Sequence, residues 1–169
     1  ANETALHQLA KQIIAEECKI LVPQRAVSLF EVGINSLPKE TGDKIPKWVF
    51  REPMTVYAQS VELEKHLEKF TPDVLMKTDR GELLVEIFVS HRVNDDKKDK
   101  AREYGSAMLE IDLSSFSEKP LSSDELRNII LNSEKHKRWL HYPVSCEVLD
   151  IAKKYYEAKI KEHGIDTAE

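Results

Sequence analysis

The stretch Thr71-Pro-Asp-Val-Leu-Met-Lys-Thr-Asp-Arg-Gly-Glu-Leu-Leu-Val-Glu-Ile-Phe-Val-Ser-His91 constrains the fold of this chain more than any other. It reads as two apolar strands joined by a glycine-containing turn at Asp79-Arg80-Gly81, with an acid near the outer end of each strand, Asp73 and Glu86. Strand side chains alternate between faces, so register decides whether the two carboxylates meet. A loop of two or four residues sets Asp73 across from Glu86 or Phe88; a three-residue loop without a bulge sends the acids to opposite faces.

At 169 residues with 41% hydrophobic content, the chain suits one domain with a sizeable core. It offers no apolar run of the ~20 residues that a membrane span needs and no signal-peptide pattern, so no membrane partner and a cytoplasmic protein are expected. Cys18 and Cys146 lie far apart without metal-type spacing, which favours reduced thiols over a disulfide or zinc site. The formal net charge of -5 argues against coating nucleic acid through bulk charge. Two basic clusters stand out locally, Lys97, Lys98, Lys100 and Arg102, then Lys135, Lys137, Arg138 and His141. Such runs are most often solvated helix faces.

Ala5, Leu6, Leu9, Ala10, Ile13, Ile14 and Cys18 recur at helical spacing and predict an amphipathic helix from Glu3 to Cys18. Glu3, His7 and Lys11 stand four apart on another stripe, by default i,i+4 pairs on a wet surface. Lys19 to Pro23 reads as a short strand or connector and Ala26 to Val32 as another. Gly33 to Pro46 reads as a surface loop or insertion. Val49 to Leu63 has extended character and carries Glu62 and Glu64 to the approach of the central hairpin, facing either the site or, by default, water.

Asn94 to Gly105 begins with an N-cap and early acids and ends in later bases and a glycine, which predicts a short helix. Ala107 to Leu113 alternates as a strand. Ser122 and Glu125 form a capping box ahead of Leu126, Ile129 and Ile130, and a last helix spans Cys146 to His163 with Gly164 beyond it. Between these helices, Trp139 and Tyr142 beside Arg138 and His141 either stack on a base or plug the edge of the core, the second use being commoner. The expected division is a main domain over 1–143 and a C-terminal helix over 144–169, packed on that domain or leading to a further region.

The order helix, three-stranded meander, helix, strand, with Pro72-Asp73 on one strand and Glu86 on the next, resembles the PD-(D/E)XK nuclease superfamily. The blocks Thr-Pro-Asp-Val-Leu, Leu-Val-Glu-Ile-Phe-Val-Ser-His, Asn-Asp-Asp-Lys and Leu-Glu-Ile-Asp-Leu-Ser resemble its bacterial branch that includes competence CoiA-like proteins. The likeness covers Glu3 to Trp139. It implies an α/β (α+β) fold with a restriction-endonuclease-like core, extended by C-terminal helices, and hydrolysis of DNA phosphodiesters with Mg²⁺ or Mn²⁺. These hard cations prefer carboxylate and water oxygens, and two carboxylates leave positions open for phosphate and water.

The resemblance assigns the metal to Asp73 and Glu86, with the carbonyl of Ile87 and an acid on the first helix, Glu3, as further ligands. The superfamily places a lysine two residues after the glutamate, where this chain has Phe88; Lys97 on the following helix is then the substitute, with Lys100 a weaker one. His91 matches a family histidine whose role as base, phosphate contact or strand-end support stays open. His7, Lys11, Lys98 and Lys100 are the implied nucleic-acid contacts, and DNA is the implied partner, with a homodimer or larger assembly as a further expectation. Phe88 and the acidic net charge favour the alternative of an inactive nuclease fold that binds nucleic acid or assembles with protein.

Overall fold

The structure, a computed structural model, describes residues 4–28, 30–33, 48–90, 95–119, 121–143 and 146–164. It is a mixed α/β chain in two compact units, Ala1–Gln24 with Pro53–Pro143, and Arg25–Glu52 with Val144–Glu169. Residues 25–52 group with the C-terminal segment 144–169 rather than with the rest of 1–143.

The first unit is built on a six-stranded sheet. In chain order its strands are β1 (Lys19–Val22), β4 (Met54–Leu63), β5 (Val74–Thr78), β6 (Gly81–Phe88), β7 (Ala107–Asp112) and β8 (Lys137–His141), and this is also their order across the sheet. Neighbours run antiparallel except β6 and β7, which run parallel. A parallel pair requires a crossover, supplied here by helix α2 (Asp95–Tyr104). The expected meander therefore gains β1 on one side. On the other side it gains β8, a strand that the residues around Trp139 do not announce by pattern.

Apolar side chains fill both faces of the sheet. On one face Val74, Met76, Val85, Ile87, Leu109 and Ile111 pack with Ala10, Ile13 and Ile14 of helix α1 (Ala5–Glu17) and with Leu126 and Ile130 of helix α3 (Ser123–Asn132). On the other, Leu75, Leu84 and Met108 pack with Ala101 of α2 and with Leu67 and Phe70. Helices on both faces explain why β6 and β7 read as nearly continuous apolar runs. Both outer-face helices carry side-chain caps at their N-termini: Thr4 accepts from the His7 N–H at 3.1 Å and Ser122 from the Glu125 N–H at 3.1 Å.

Thr78 pairs with Gly81, so β5 and β6 are joined by a two-residue loop, Asp79-Arg80. Gly81 opens β6 at φ +110°, a conformation that a side chain would strain. It belongs to the ladder rather than to the turn. The register that follows, Val74 against Val85, sets Asp73 across from Glu86.

In the second unit, β2 (Arg25–Ser28) pairs antiparallel with β3 (Trp48–Arg51), followed in space by a short 3₁₀ turn at Phe30–Val32 and helix α4 (Cys146–Glu162). Ala152, Tyr156 and Ile160 form the buried stripe of α4, and the Tyr156 hydroxyl donates to the Val27 carbonyl at 3.2 Å. Gly164, at φ +67°, follows the helix as its glycine stop.

Candidate active site

The two-residue loop meets the condition for convergence. Asp73 lies in the bend just before β5, and its Oδ2 accepts a 2.8 Å hydrogen bond from the Ile87 N–H. Glu86 lies between Val85 and Ile87, which face α1 and α3, so its side chain turns to the α2 face. There Glu86 Oε1 accepts from the Asp73 backbone N–H at 3.3 Å. The Glu86 carboxylate is thus latched to the Asp73 backbone and the Asp73 carboxylate to that of Ile87, the residue after Glu86, and only 4% of the Glu86 side chain is exposed.

Each acid has a basic side chain against it. His7 Nε2 lies 3.2 Å from Asp73 Oδ2. Lys97 Nζ lies 2.9 Å from Glu86 Oε1. Lys97 stands one helical turn before the buried Ala101, so its stem runs along the inner stripe of α2 and delivers the ammonium to the sheet. Further contacts anchor α2 there: Tyr104 packs edge-on against Phe70 and donates to Glu82 Oε2 at 2.6 Å.

Register extends this pattern across the sheet. Leu63 pairs with Val74, so Glu64 follows opposite Asp73, and its N–H donates to the Asp73 carbonyl at 3.0 Å. Glu86 pairs with Glu110, and Glu110 with Arg138. One row across five strands therefore reads Glu64, Asp73, Glu86, Glu110, Arg138. Lys11 Nζ is 2.8 Å from Glu64 Oε1, and Arg138 Nε donates to Glu110 Oε1 at 2.9 Å. Each of the four acids meets a basic side chain, from α1, α1, α2 and β8. Glu64 itself takes φ 50°, the left-handed region, where the chain leaves β4.

The central pair is electrostatically unequal. Burial pushes Glu86 up, the neighbouring Asp73 charge adds to this, and Lys97 opposes both; the result is about 8 against an ordinary value of 4.5. Burial also acts to raise Asp73, but the hydrogen bonds from His7 and the Ile87 N–H outweigh it, and Asp73 is held below its ordinary value. Without a cation between them, one carboxylate is ionised and the other keeps its proton near neutrality. That is the signature of a site that concentrates negative charge.

Asp73, Glu86, Lys97, His7 and Ile87 are therefore brought together, and Lys11 closes the row beside them. Lys11 is buried against Glu64, so it serves as an internal charge partner, unlike the nucleic-acid contact expected of it. The stripe of His7 and Lys11 is not a wet surface, because the end of β4 and the bend before β5 cover it. Lys98 is half-buried on α2, and Lys100 pairs with Asp96 one turn back at 2.9 Å. Glu3 and His91 lie outside the described residues, as does the expected N-cap Asn94. Among the described residues, no three His, Cys, Asp or Glu side chains form a ready metal-ligand group.

Two partners in the row are missed by pattern. Glu110 alternates with apolar neighbours as a water-facing residue would, yet α2 covers that face, and its side chain is 0% exposed. Its Arg138 partner lies in the unannounced strand β8. Trp139 packs on the apolar core and donates from Nε1 to the Pro23 carbonyl at 3.3 Å, the plug rather than the stacking platform. Comparisons of the chain with protein-family models, with curated proteins and with solved structures found no match.

Proposed function

We propose that this chain is a divalent-metal-dependent nuclease that hydrolyses DNA phosphodiesters, on a restriction-endonuclease-like core of the PD-(D/E)XK type. One observation carries the reading: Asp73 and Glu86 adjoin across β5 and β6, nearly buried, with the Lys97 ammonium on Glu86 in place of the lysine that Phe88 displaces. The donor set fits Mg²⁺ or Mn²⁺, because hard cations favour carboxylate oxygens and relieve a like-charged buried pair. Asp73 and Glu86 would hold the ion, with the Ile87 carbonyl and Glu3 as further ligands. When bound, the ion acidifies a water and neutralises charge developing on the phosphoryl oxygens.

The protein's own groups supply the rest. His7 and the Ile87 N–H fix the Asp73 carboxylate and keep it ionised. Lys97 holds Glu86 Oε1 at 2.9 Å in the resting site; its flexible four-carbon stem would let it turn to the reacting phosphate if a metal ion took Glu86 over. His91 and Lys98 complete the proposed set as proton-transfer and phosphate-contacting residues.

The test is cleavage of single-stranded and duplex DNA with Mn²⁺ or Mg²⁺, comparing wild type with Asp73→Asn, Glu86→Gln and Lys97→Ala. Wild-type cutting lost in all three folded variants supports the reading. A folded wild type that cuts neither substrate with either ion contradicts it and favours the binding-module alternative suggested by Phe88.

A further inference from the structure

We propose that Arg138, held by Glu110, binds the backbone phosphate next to the one being cleaved; this rests on the nuclease reading of the Asp73–Glu86 site. Glu110 stands directly beside Glu86 in the parallel register, so an unneutralised carboxylate there would add a third negative charge to a site that must admit a polyanion. Arg138 removes that charge, but it does so with one donor only. Its Nε is on Glu110 Oε1, while 51% of its side chain is exposed. Among the described residues, its two Nη groups make no hydrogen bond or ion pair. A buried carboxylate thus fixes the plane of a guanidinium whose remaining donors are open, the arrangement suited to bidentate capture of a phosphate.

Its position agrees with that use. Arg138 lies in the same row as the metal-site acids, two strand spacings or about 10 Å from Glu86. Glu110 is covered, so a DNA strand whose scissile phosphate sits at Asp73 and Glu86 passes outside it and, running toward β8, meets the exposed Arg138 next. The other basic side chains of the row are less open to a second phosphate: Lys11 is 6% exposed, and His7 and Lys97 are engaged on Asp73 and Glu86.

The experiment is the salt dependence of DNA cleavage with Mn²⁺. It compares wild type, Arg138→Lys, and the double variant Glu110→Met/Arg138→Met, which removes both charges and so avoids leaving a buried acid alone. One lost phosphate contact lowers the slope of log kcat/KM against log salt by about 0.9 on duplex or about 0.7 on single strands. The double variant should show this loss and a KM raised on the order of tenfold, with kcat and Mn²⁺ affinity kept. Arg138→Lys, which keeps the charge but not the fork, should keep the slope and raise KM less. A folded double variant with wild-type slope and KM overturns the proposal and leaves the nuclease reading standing. A wild type that does not cleave removes both.

Discussion

Glu86 and Glu110 are neighbours on adjoining strands, both buried, both paired with a cation, yet they are built for different ends. Glu86 is met by a lysine that reaches in from a helix, and it shares its surroundings with a second carboxylate. Glu110 is met by an arginine in the next strand of the same sheet, directly opposite it in register. A lysine offers a point charge on a flexible stem, which a stronger cation could displace; an arginine offers a planar fork of N–H donors with fixed directions. The difference teaches that burial of an acid does not mark a ligand by itself. What distinguishes Glu86 is the second carboxylate beside it, Asp73, whose charge helps to push it up.

Breaking the Glu86 end should have the largest effect on chemistry. Asp73→Asn and Glu86→Gln are each expected to lower the cleavage rate by on the order of 10³-fold, measured as kcat with Mn²⁺. Lys97→Ala should cost on the order of 10²-fold while Mn²⁺ still binds, since the ion takes over the lysine's role toward Glu86 but not toward the phosphate. Equal loss from Arg138→Lys would erase the distinction between the two ends.

Breaking the Glu110 end should instead show in stability. Arg138→Met alone takes the guanidinium off a fully buried carboxylate and should cost on the order of 3 kcal/mol in urea unfolding. The double variant Glu110→Met/Arg138→Met should recover most of that loss, because a well-packed apolar pair replaces a buried ion pair at little cost. If the double variant is as unstable as the single one, the pair is not the unit inferred from the register.

A further expected effect is a pH dependence of the metal-free protein. Glu86 holds its proton up to about pH 8 when folded and releases it near 4.5 when unfolded. Between those values the folded state binds more protons, so this group's contribution is full below about 4.5 and is lost as pH rises through about 8. Asp73 acts in another window: held below its ordinary 3.8, its contribution is present above that value and lost on acidification below it. Thermal unfolding of the metal-free chain should therefore weaken from pH 5 to pH 8, and Glu86→Gln should flatten the trend. A wild-type trend of opposite sign would refute the account of Glu86.

Much of this site is legible in the sequence because local rules fix it. The apolar runs around Asp79-Arg80 set a hairpin, the hairpin sets its register, and the register brings Asp73 to Glu86. The helix spacing from His7 to Lys11 and from Lys97 to Ala101 likewise places the cations on definite stripes. What pattern misses depends on tertiary cover. Glu110 looks like a solvent-facing strand residue until α2 lies over it, and the strand of Arg138 has too little periodicity to show itself. Lys11 reads as a surface base until the chain turns at Glu64. The grouping of residues 25–52 with the C-terminal helix is likewise set by contacts between distant segments, such as Tyr156 with Val27, which local pattern does not encode.

The most direct measurement is calorimetric titration of Mn²⁺ into wild type, Asp73→Asn and Glu110→Gln, each verified as folded. The account requires that wild type binds Mn²⁺ with release of a proton from Glu86, that Asp73→Asn abolishes binding, and that Glu110→Gln preserves it. A wild type that binds no Mn²⁺, or binding that survives Asp73→Asn but is lost in Glu110→Gln, would contradict it.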